Sequence, residues 1–475
     1  MSKHFQIAVI GSGPGGYIAA LKAAQSGAKT AIVEKHLLGG TCLNYGCIPS
    51  KALLASSEMI HKIKRADFFG VSANSSVTYD WQMIQKRKDK VVSRLRRGVK
   101  GLFDSRKVKL FTGKAQLGGP GRVNVISDKG APETITADSI ILAVGSFPAM
   151  IAGWPDDSEL VCTSDEALHW KQLPKRLIIV GGGVVGCEFA CMMHEYGVDV
   201  TIVEIMDNLL PEMETQLGSA LADIFIKRGI NIFTNTKVEQ LTFQDKRINA
   251  VLSDSQTIEA GKVLVATGRK ADTSDIGLES VGLERDRGFI CVDDKMQTPV
   301  KGYYCVGDAN GRYLLAHAAS AQAMVAVKNA LGGNEGFDLP IPSAVHTFPE
   351  IASVGMTSQQ ARAQQIPVSI GQFPIGCLGK AMAVGEESGF VKVIRHQSEG
   401  TLLGVHMLGH NATEVIASAT AMVGTKVNAN QLAEMVFAHP TIGEAVKEAA
   451  EDTFRSALNL PPRKVRRVAA VAQEI

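Results

Sequence analysis

The sequence contains few cysteines, and its amino terminus shows no export signal. Its 475 residues include 8 cysteines, far fewer than the disulfide-dense scaffolds of small secreted domains carry. The hydrophobic run at residues 5–10 is too short for a signal core or a membrane span. We therefore expect a soluble, cytoplasmic protein that does not bind a membrane.

An excess of one charge is also missing. The chain has 50 basic and 47 acidic residues, which leaves a formal net charge of +3. Such a balance provides no global field for gathering nucleic acid, so a small-molecule ligand is the better expectation. The length exceeds the ~250 residues at which single cores stop growing, and it predicts several domains.

Two segments share the same pattern of buried strand, Gly-rich turn, small-residue helix and second strand ending at an acid. The first copy consists of residues 5–10, 11–16, 17–26 and 28–33, followed by Glu34. The second consists of residues 176–180, 181–186, 187–196 and 198–203, followed by Glu204. The interval from first glycine to acid is 23 residues in both copies. Two such units indicate an α/β protein with two doubly wound, Rossmann-like dinucleotide-binding domains.

The glycines of each turn have separate tasks in such a unit. The first permits the sharp turn, the second the approach of a pyrophosphate, and the third the packing of helix on strand. The six candidate cofactor-binding glycines are Gly11, Gly13, Gly16, Gly181, Gly183 and Gly186. An ordinary loop is the alternative for either turn, and the repeated context disfavours it.

Glu34 and Glu204 stand where a carboxylate would accept hydrogen bonds from a ribose diol. Glu204 would also repel a 2′-phosphate, so the second site is expected to prefer NAD over NADP. The alternative for each glutamate is a solvated strand end.

The pattern changes after residue 339. Pro340 and Pro342 mark a boundary, beyond which strand-like segments at residues 390–395 and 402–408 precede helical stretches at residues 412–423 and 430–437. This predicts a third, α+β domain.

Cys42 and Cys47 form a close pair, five residues apart in the sequence. They lie in a stretch containing Gly46, just before a helix predicted from Ser50, so a bend could bring the two sulfurs into bonding distance. A helix amino terminus would also lower a thiolate pKa. A metal site and an inert pair remain alternatives, although no Cys or His cluster completes a metal site at the usual spacing.

The segment from Gly39 to Lys51 resembles the redox-active disulfide of the flavoprotein disulfide reductases, and most of all that of the dihydrolipoamide dehydrogenases. The resemblance implies that Cys42 exchanges with the substrate and that Cys47 contacts the flavin of a bound FAD. It also implies that Lys51 lies near flavin N5 and pairs with Glu188.

Further segments extend the resemblance over almost the whole chain. The residues that it assigns to FAD binding are Lys51, Gly113, Ala115, Ser146, Asp308, Leu314, Leu315, Ala316 and His317. On the NAD side it assigns Val238 and Gly268. The fold implied is two dinucleotide-binding domains and a carboxy-terminal dimerisation domain.

His439 and Glu444 supply the acid–base group that dithiol oxidation needs. An imidazole held by a carboxylate can accept a proton near neutral pH, so His439 is the candidate base and Glu444 orients it. A lone histidine is more often structural, but the match of residues 438–444 to the family favours catalysis.

Three positions depart from the dihydrolipoamide dehydrogenase pattern: Phe437 and His346 replace a common histidine and tyrosine, and Gly443 replaces a common serine. The alternative function is an NAD(P)H-dependent reductase of another disulfide or of mercuric ion. Glu204 opposes NADPH, and the lack of cysteine after Cys377 opposes a mercuric reductase.

The resemblance thus predicts a homodimer that oxidises dihydrolipoamide on lipoyl-bearing proteins of 2-oxoacid dehydrogenase or glycine-cleavage assemblies and reduces NAD. The predicted parts are an FAD domain at 1–150, an NAD domain at 151–275, a return segment at 276–340 and a dimerisation domain at 341–475. The basic tail from Pro461 onward is either a solvated terminus or a docking segment for an acidic partner.

Overall fold

The computed structural model describes residues 3–72, 77–127, 130–155, 159–244 and 247–462. The chain forms two compact units, and each is treated by itself. The first comprises Met1–Leu209 and Phe225–Leu339, and the second comprises Leu210–Ile224 and Pro340–Ile475. The second unit therefore starts at Pro340 and also takes in a short segment from the middle of the chain.

Strands and helices follow one another through both units, and all those from residue 343 onward belong to the second unit. The strands are β1 Lys3–Ile10, β2 Thr30–Glu34, β3 Lys109–Thr112, β4 Lys114–Leu117, β5 Arg122–Ile126, β6 Glu133–Leu142, β7 Ser146–Pro148, β8 Val161–Thr163, β9 Arg176–Val180, β10 Asp199–Val203, β11 Asn231–Phe233, β12 Val238–Gln244, β13 Arg247–Leu252, β14 Thr257–Ala260, β15 Lys262–Val265, β16 Arg269–Ala271, β17 Arg285–Asp286, β18 Phe289–Ile290, β19 Tyr303–Cys305, β20 Ser343–Val345, β21 Glu350–Gly355, β22 Val368–Pro374, β23 Phe390–His396 and β24 Leu402–Gly409. The α-helices are α1 Pro14–Gln25, α2 Gly40–Asn44, α3 Cys47–Lys64, α4 Trp81–Ser105, α5 Ser164–Ala167, α6 Val184–Glu195, α7 Thr215–Arg228, α8 Ala316–Ala330, α9 Ser358–Ala363, α10 Gly379–Val384, α11 Ala412–Gly424, α12 Ala429–Glu434 and α13 Glu444–Asp452.

The first sheet has the strand order β3-β2-β1-β6-β5-β4, and β19 pairs with β6. Strands β3, β2, β1, β6 and β19 run parallel, and helices carry the chain from β1 to β2 and from β2 to β3. The sheet is covered on both faces: Ala8 and Ile10 belong to one hydrophobic core, and Ile7 and Val9 to another. The carboxyl ends of the parallel strands therefore share one edge, which is where doubly wound sheets bind ligands.

The second parallel sheet, in the order β11-β10-β9-β15-β8, repeats this plan. A separate antiparallel sheet, β12-β13-β14, contributes Ile248 and Ala250 to a core shared with Ile178 and Val263 of the parallel sheet. The Rossmann-like α/β class predicted for this part of the chain is confirmed.

The second unit contains the antiparallel sheet β20-β21-β24-β23-β22. Its core includes Val391 and Val405 from the sheet, Ile416 from α11 and Val446 from α13. Strands and helices thus form the predicted α+β domain.

Two predicted helices have different limits in the structure. The helix predicted from Ser50 begins at Cys47, since Pro49 falls in the first turn, where its missing N–H has no intrahelical partner to lose. The helix predicted to reach residue 437 ends at Glu434, which leaves Phe437 outside it. The basic segment 463–467 lies outside the described residues.

Within the described part of the chain, no helix combines the length and hydrophobicity that crossing a membrane requires.

Candidate active site

The first Gly-rich turn joins β1 to α1. Gly11 has a φ of 93°, and a Cβ on Gly16 would lie 1.9 Å from the Gly11 carbonyl oxygen, so both positions require glycine. The Glu34 carboxylate accepts hydrogen bonds from Ser12 N at 2.8 Å and Ser12 Oγ at 2.6 Å. Gly13, directly before α1, has no side chain that could cap the helix. The backbone N–H groups in the first turn of α1 therefore remain available to an anion.

The second Gly-rich turn has the same construction between β9 and α6. Gly181 has a φ of 112°, and a Cβ on Gly186 would lie 1.9 Å from the Gly181 carbonyl oxygen. Glu204 accepts hydrogen bonds from Gly182 N and, at 2.8 Å, from Met206 N. A Cβ on Gly183 would meet no described atom within 4 Å, so the start of α6 faces open space.

Four other predicted FAD-side residues lie near the carboxyl edge of the first sheet. Gly113 follows β3, and its N–H donates to the Glu34 carbonyl at 2.9 Å, while Ala115 is buried in β4. Ser146 Oγ donates to Asp308 Oδ2 at 2.5 Å. The structure therefore brings Ser146 and Asp308, which are far apart in sequence, into direct contact.

The remaining predicted FAD contacts, Leu314 to His317, lie around the start of α8. Leu315 precedes the helix and Ala316 is its first residue. Leu314 and His317 are exposed, as expected for a segment that lines a ligand.

On the NAD side, Val238 is the first residue of β12 and is buried at 5% exposure. Gly268 has a φ of 128°, a conformation that favours glycine, and its carbonyl accepts from Ala149 N at 3.0 Å. The buried position of Val238 makes it a core residue as well as a candidate contact to adenine.

Cys42 lies in α2, and Cys47 is the first residue of α3. The two sulfurs are not joined by a disulfide bond in the structure. Their mutual hydrogen bond raises the pKa of Cys42, as does burial. The same hydrogen bond lowers the pKa of Cys47 to about 7 against the effect of burial, and the charge of Lys51 lowers it further. Of the two thiols, Cys47 is therefore the one that ionises more readily.

Lys51 lies one helical turn after Cys47 on α3. Its Nζ donates to both carboxylate oxygens of Glu188, at 2.8 and 2.7 Å. The Glu188 side chain is 6% exposed and that of Lys51 is 34% exposed. The predicted pair thus joins the helix of the redox cysteines to the helix of the second Gly-rich turn.

His439 and Glu444 form their predicted pair in the second unit. His439 Nδ1 lies 2.9 Å from Glu444 Oε1, and Thr441 N donates to Glu444 Oε2 at 2.7 Å. Burial opposes ionisation of Glu444, but the hydrogen bond from Thr441 and the adjacent His439 hold its pKa below the usual value. The carboxylate remains ionised and can orient the imidazole, whose side chain is 76% exposed.

The residues present fit two dinucleotides better than a metal. Each Gly-rich turn offers a helix start with accessible N–H groups and a nearby buried carboxylate, which suits a pyrophosphate and a ribose. No group of three or more His, Cys, Asp or Glu side chains within the described ranges is placed to hold a metal ion.

Three residues that sequence reasoning did not select support the site. Arg269 donates from Nε to Ser146 Oγ at 2.7 Å, and Ser12 ties the first turn to Glu34. Gln322, fully buried, accepts from Gly307 N at 2.7 Å. Ser12 and Arg269 adjoin motif glycines, a signal that could have identified them; Gln322 lies in a helix and carries no such signal.

Two family models match the chain. Residues 5–323 match the pyridine nucleotide-disulphide oxidoreductase family, and residues 341–450 match the dimerisation domain of the same family. The second match supports a homodimer.

Curated relatives cover almost the full length. The chain is 38% identical to a dihydrolipoyl dehydrogenase of Chlamydia muridarum, over 98% of this chain and 100% of the relative. It is 40% identical to a dihydrolipoyl dehydrogenase of Chlorobaculum tepidum, over 96% and 98%. The corresponding protein of Bacillus subtilis is 38% identical, over 95% and 98%.

Solved structures share the fold. The crystal structure of LpdA from Mycobacterium tuberculosis has a TM-score of 0.88 and 28% identity, over 94% of this chain and 99% of that one. The flavoprotein disulfide reductase RclA of Escherichia coli has a TM-score of 0.85 at 24% identity, over 95% and 99%, and shows the fold alone. By its sequence matches, the chain belongs to the pyridine nucleotide-disulphide oxidoreductase family, whose members use FAD and NAD(H).

Proposed function

We propose that this oxidoreductase oxidises dihydrolipoamide to lipoamide and reduces NAD to NADH. The observation that carries the proposal is the placement of Cys42 in α2 and of Cys47 at the start of α3, one helical turn before Lys51, whose ammonium is paired with Glu188. The curated relatives, which are named dihydrolipoyl dehydrogenases, support the choice of substrate.

The chemistry is two successive thiol–disulfide exchanges. A substrate thiolate attacks Cys42 Sγ of the oxidised pair, and the Cys42–Cys47 bond breaks to release the Cys47 thiolate. The second substrate thiolate then attacks the substrate sulfur bonded to Cys42, which closes the lipoamide disulfide and releases Cys42. A thiolate leaving group is easier to expel when its pKa is low, so the low pKa of Cys47 favours the first exchange.

The two substrate thiols lose two protons during these exchanges, one to a base and the other to Cys42 as its sulfur is released. We propose that His439 accepts the proton of the attacking thiol and that Glu444, 2.9 Å from Nδ1, stabilises the imidazolium. His439 belongs to the dimerisation segment, and in the resembled family a partner subunit supplies it. The proposed site therefore combines Cys42 and Cys47 of one subunit with His439 and Glu444 of the other.

FAD, when bound, supplies two-electron transfer between the thiols and the nicotinamide. We assign its binding to the first Gly-rich turn, Glu34 and the Ser146–Asp308 contact, with Gly113, Ala115 and residues 314–317 as further contacts. Lys51 is held beside Cys47 by Glu188, and its ammonium provides a fixed positive charge at that place.

We assign NAD to the second Gly-rich turn, with Glu204 as the group that disfavours a 2′-phosphate. Val238 and Gly268 are the further proposed contacts. The preference for NAD over NADP rests on the buried carboxylate of Glu204, 6% exposed, at the end of β10.

The partner proteins, the cellular location and the domain limits are proposals as well. We propose lipoyl-bearing proteins of 2-oxoacid dehydrogenase or glycine-cleavage assemblies as partners, and a cytoplasmic location, where thiols stay reduced. The domain limits at residues 150, 275 and 340 are proposed on the sequence pattern.

A substrate panel tests the proposal. Purified protein is assayed with dihydrolipoamide and NAD, and in parallel with glutathione disulfide and NADPH. We expect turnover of the first pair, its loss in Cys42→Ser and Cys47→Ser, and its retention in the matched control Cys291→Ser, which changes an exposed cysteine outside the pair. Preferential turnover of the second pair would identify the chain as a reductase of another disulfide.

A further inference from the structure

The helix that carries the redox cysteine is held to the nucleotide-site helix at both of its ends. α3 bears Lys51 near its start and His61 and Lys64 near its end, and it packs against α6. Near the start of α3, Lys51 contacts Glu188, as described above. Near the end of α3, His61 and Lys64 contact Glu195, the last residue of α6.

The Glu195 carboxylate contacts side chains from two helices. His61 Nδ1 lies 2.8 Å from Glu195 Oε1, and Lys64 Nζ donates to Oε2 at 3.1 Å. Arg228, at the end of α7, also donates to Oε1. The Glu195 side chain is 4% exposed, so these contacts form in a poorly hydrated place, where charge–charge interactions are strong.

An uncharged hydrogen bond also joins α3 to the residue that follows α6. The buried Tyr196 hydroxyl, directly after α6, donates to the Leu53 carbonyl of α3 at 2.8 Å. Tyr79 in turn donates to the Tyr196 carbonyl at 2.5 Å. Three separate points therefore fix α3 against the end and the side of α6.

The Glu195 cluster is strongly charged although it is largely buried. Burial opposes the ionisation of Glu195, yet His61, Arg228 and Lys64 lower its pKa to about 2. His194 on the same helix faces the same cations, which together with burial lower its pKa. The cluster lies seven residues along α6 from Glu188, about 10 Å at 1.5 Å per residue.

We propose that Glu195 is a positioning residue, which sets the register of α3 on α6 and thereby holds Lys51 where its charge stabilises the Cys47 thiolate. The inference rests on the proposed role of Cys47, but it does not depend on which disulfide or dithiol the enzyme uses. His61, Lys64 and Arg228 act with Glu195, and none of the four needs to touch substrate or cofactor.

The direction of the effect separates positioning from simple electrostatics. Glu195 pairs with His61, which lies 14 residues along α3 from Cys47 and so roughly 20 Å away at 1.5 Å per residue, about twice the Debye length of ~8–10 Å. Through space alone, loss of the negative charge at Glu195 would therefore leave the pKa of Cys47 nearly unchanged or lower it slightly. Displacement of Lys51 would weaken a favourable charge and raise the pKa of Cys47. If Glu195 acts by positioning Lys51, its replacement therefore raises the pKa of Cys47.

The test uses the FAD-loaded enzyme with Cys42→Ser as background, since a serine hydroxyl can still donate to Cys47. The Cys47 thiolate is titrated by its ultraviolet absorbance, as a difference from Cys42→Ser/Cys47→Ser. Glu195→Gln removes the charge, and Glu195→Asp keeps the charge but shortens the side chain. Glu195→Gln/Arg228→Gln removes one charge of each sign.

Two controls match these changes. Glu58→Gln breaks an exposed pair with Lys62 on the same helix α3, where the atoms are 2.6 Å apart. Glu214→Gln breaks a buried pair with Lys392, also at 2.6 Å, within the second compact unit. Both controls are expected to leave the pKa of Cys47 unchanged.

We expect Glu195→Gln to raise the pKa of Cys47 by roughly 0.5–1 and Glu195→Asp to raise it by less. The double variant should keep the pKa raised, because Arg228→Gln restores no contact between α3 and α6, and a return to the background value would indicate simple charge compensation instead. An unchanged or lowered pKa in Glu195→Asp, with FAD content retained, would overturn the proposal even if Glu195→Gln failed to fold. Failure of the proposed function would appear differently, as dithiol oxidation that survives Cys42→Ser and Cys47→Ser in the otherwise unmodified chain.

Discussion

Replacement of Lys51 by methionine is expected to raise the pKa of Cys47 and to destabilise the fold, two effects that a second substitution can separate. Lys51 lies at i+4 from Cys47 on α3, where side chains are about 5–6 Å apart at Cβ. An opposite charge at such a distance shifts a pKa by roughly 1–3 when it is shielded from water. Because Lys51 is 34% exposed, we expect the lower end of that range.

The pKa of Cys47 should therefore rise from about 7 by roughly 1 in Lys51→Met. At neutral pH the thiolate fraction would then fall from about one half to roughly one tenth. The same substitution removes two charge-assisted hydrogen bonds to the buried carboxylate of Glu188. Hydrogen bonds to charged groups contribute about 1.5–3 kcal/mol each, and incomplete burial places the expected loss in unfolding free energy near the lower figure.

The assay again titrates the Cys47 thiolate by ultraviolet difference absorbance in the Cys42→Ser background, with urea unfolding measured in parallel. Lys51→Met/Glu188→Gln removes both charges, so most of the lost stability should return while the pKa of Cys47 stays raised. An unchanged Cys47 pKa in a well-folded Lys51→Met protein would refute the assignment of Lys51 as the stabilising charge.

Three further predictions follow from the geometry. Gly186→Ala should destabilise the fold and lower thermal unfolding temperature, because its Cβ would lie 1.9 Å from the Gly181 carbonyl oxygen; Gly183→Ala, whose Cβ meets no described atom within 4 Å, should unfold like the parent but bind NAD more weakly in calorimetry. Glu204→Gln combined with Ile205→Arg, at a position 66% exposed, should shift the NAD/NADP ratio of kcat/KM toward NADP by roughly 1–3 kcal/mol, and an unchanged ratio would show that Glu204 does not select the nucleotide. Burial lowers the pKa of His406 in the folded state, so the unfolded state binds this proton first as the pH falls. The folded state therefore loses stability below about pH 6.5, by up to ~1.4 kcal/mol per pH unit. His406→Asn should flatten the dependence of the urea midpoint on pH in that range, and an equally steep profile would contradict this.

The two dinucleotide-binding units could be predicted from sequence because local chemistry determines them. A glycine at Gly11 or Gly181 is required by its positive φ, and the strand before it and helix after it follow from short-range pattern. The pairing of His439 with Glu444 was equally accessible, since the two residues are five apart and belong to one motif.

Long-range contacts were predictable only where a resemblance supplied them. The Lys51–Glu188 pair was expected on that basis. The contact of Arg269 with Ser146 spans 123 residues, and the motif glycine next to Arg269 marks the residue but does not identify its partner. The Glu195 cluster is similar, because ion pairs between packed helices depend on the register of the helices and not on spacing within either one. The start of α3 at Cys47 was also missed, since a proline at Pro49 is compatible with both a first turn and a preceding loop.

The most direct measurement for the proposed shared site is complementation between two inactive subunits. A Cys42→Ser subunit is refolded together with a His439→Gln subunit, mixed dimers are isolated by two different tags, and NADH formation from dihydrolipoamide and NAD is measured. A mixed dimer would contain one site with both defects and one intact site. We therefore predict about half of the activity of the unmodified dimer, although neither variant alone is active. Verified mixed dimers that stay as inactive as both variants would contradict a site built from Cys42 and Cys47 of one subunit and His439 and Glu444 of the other.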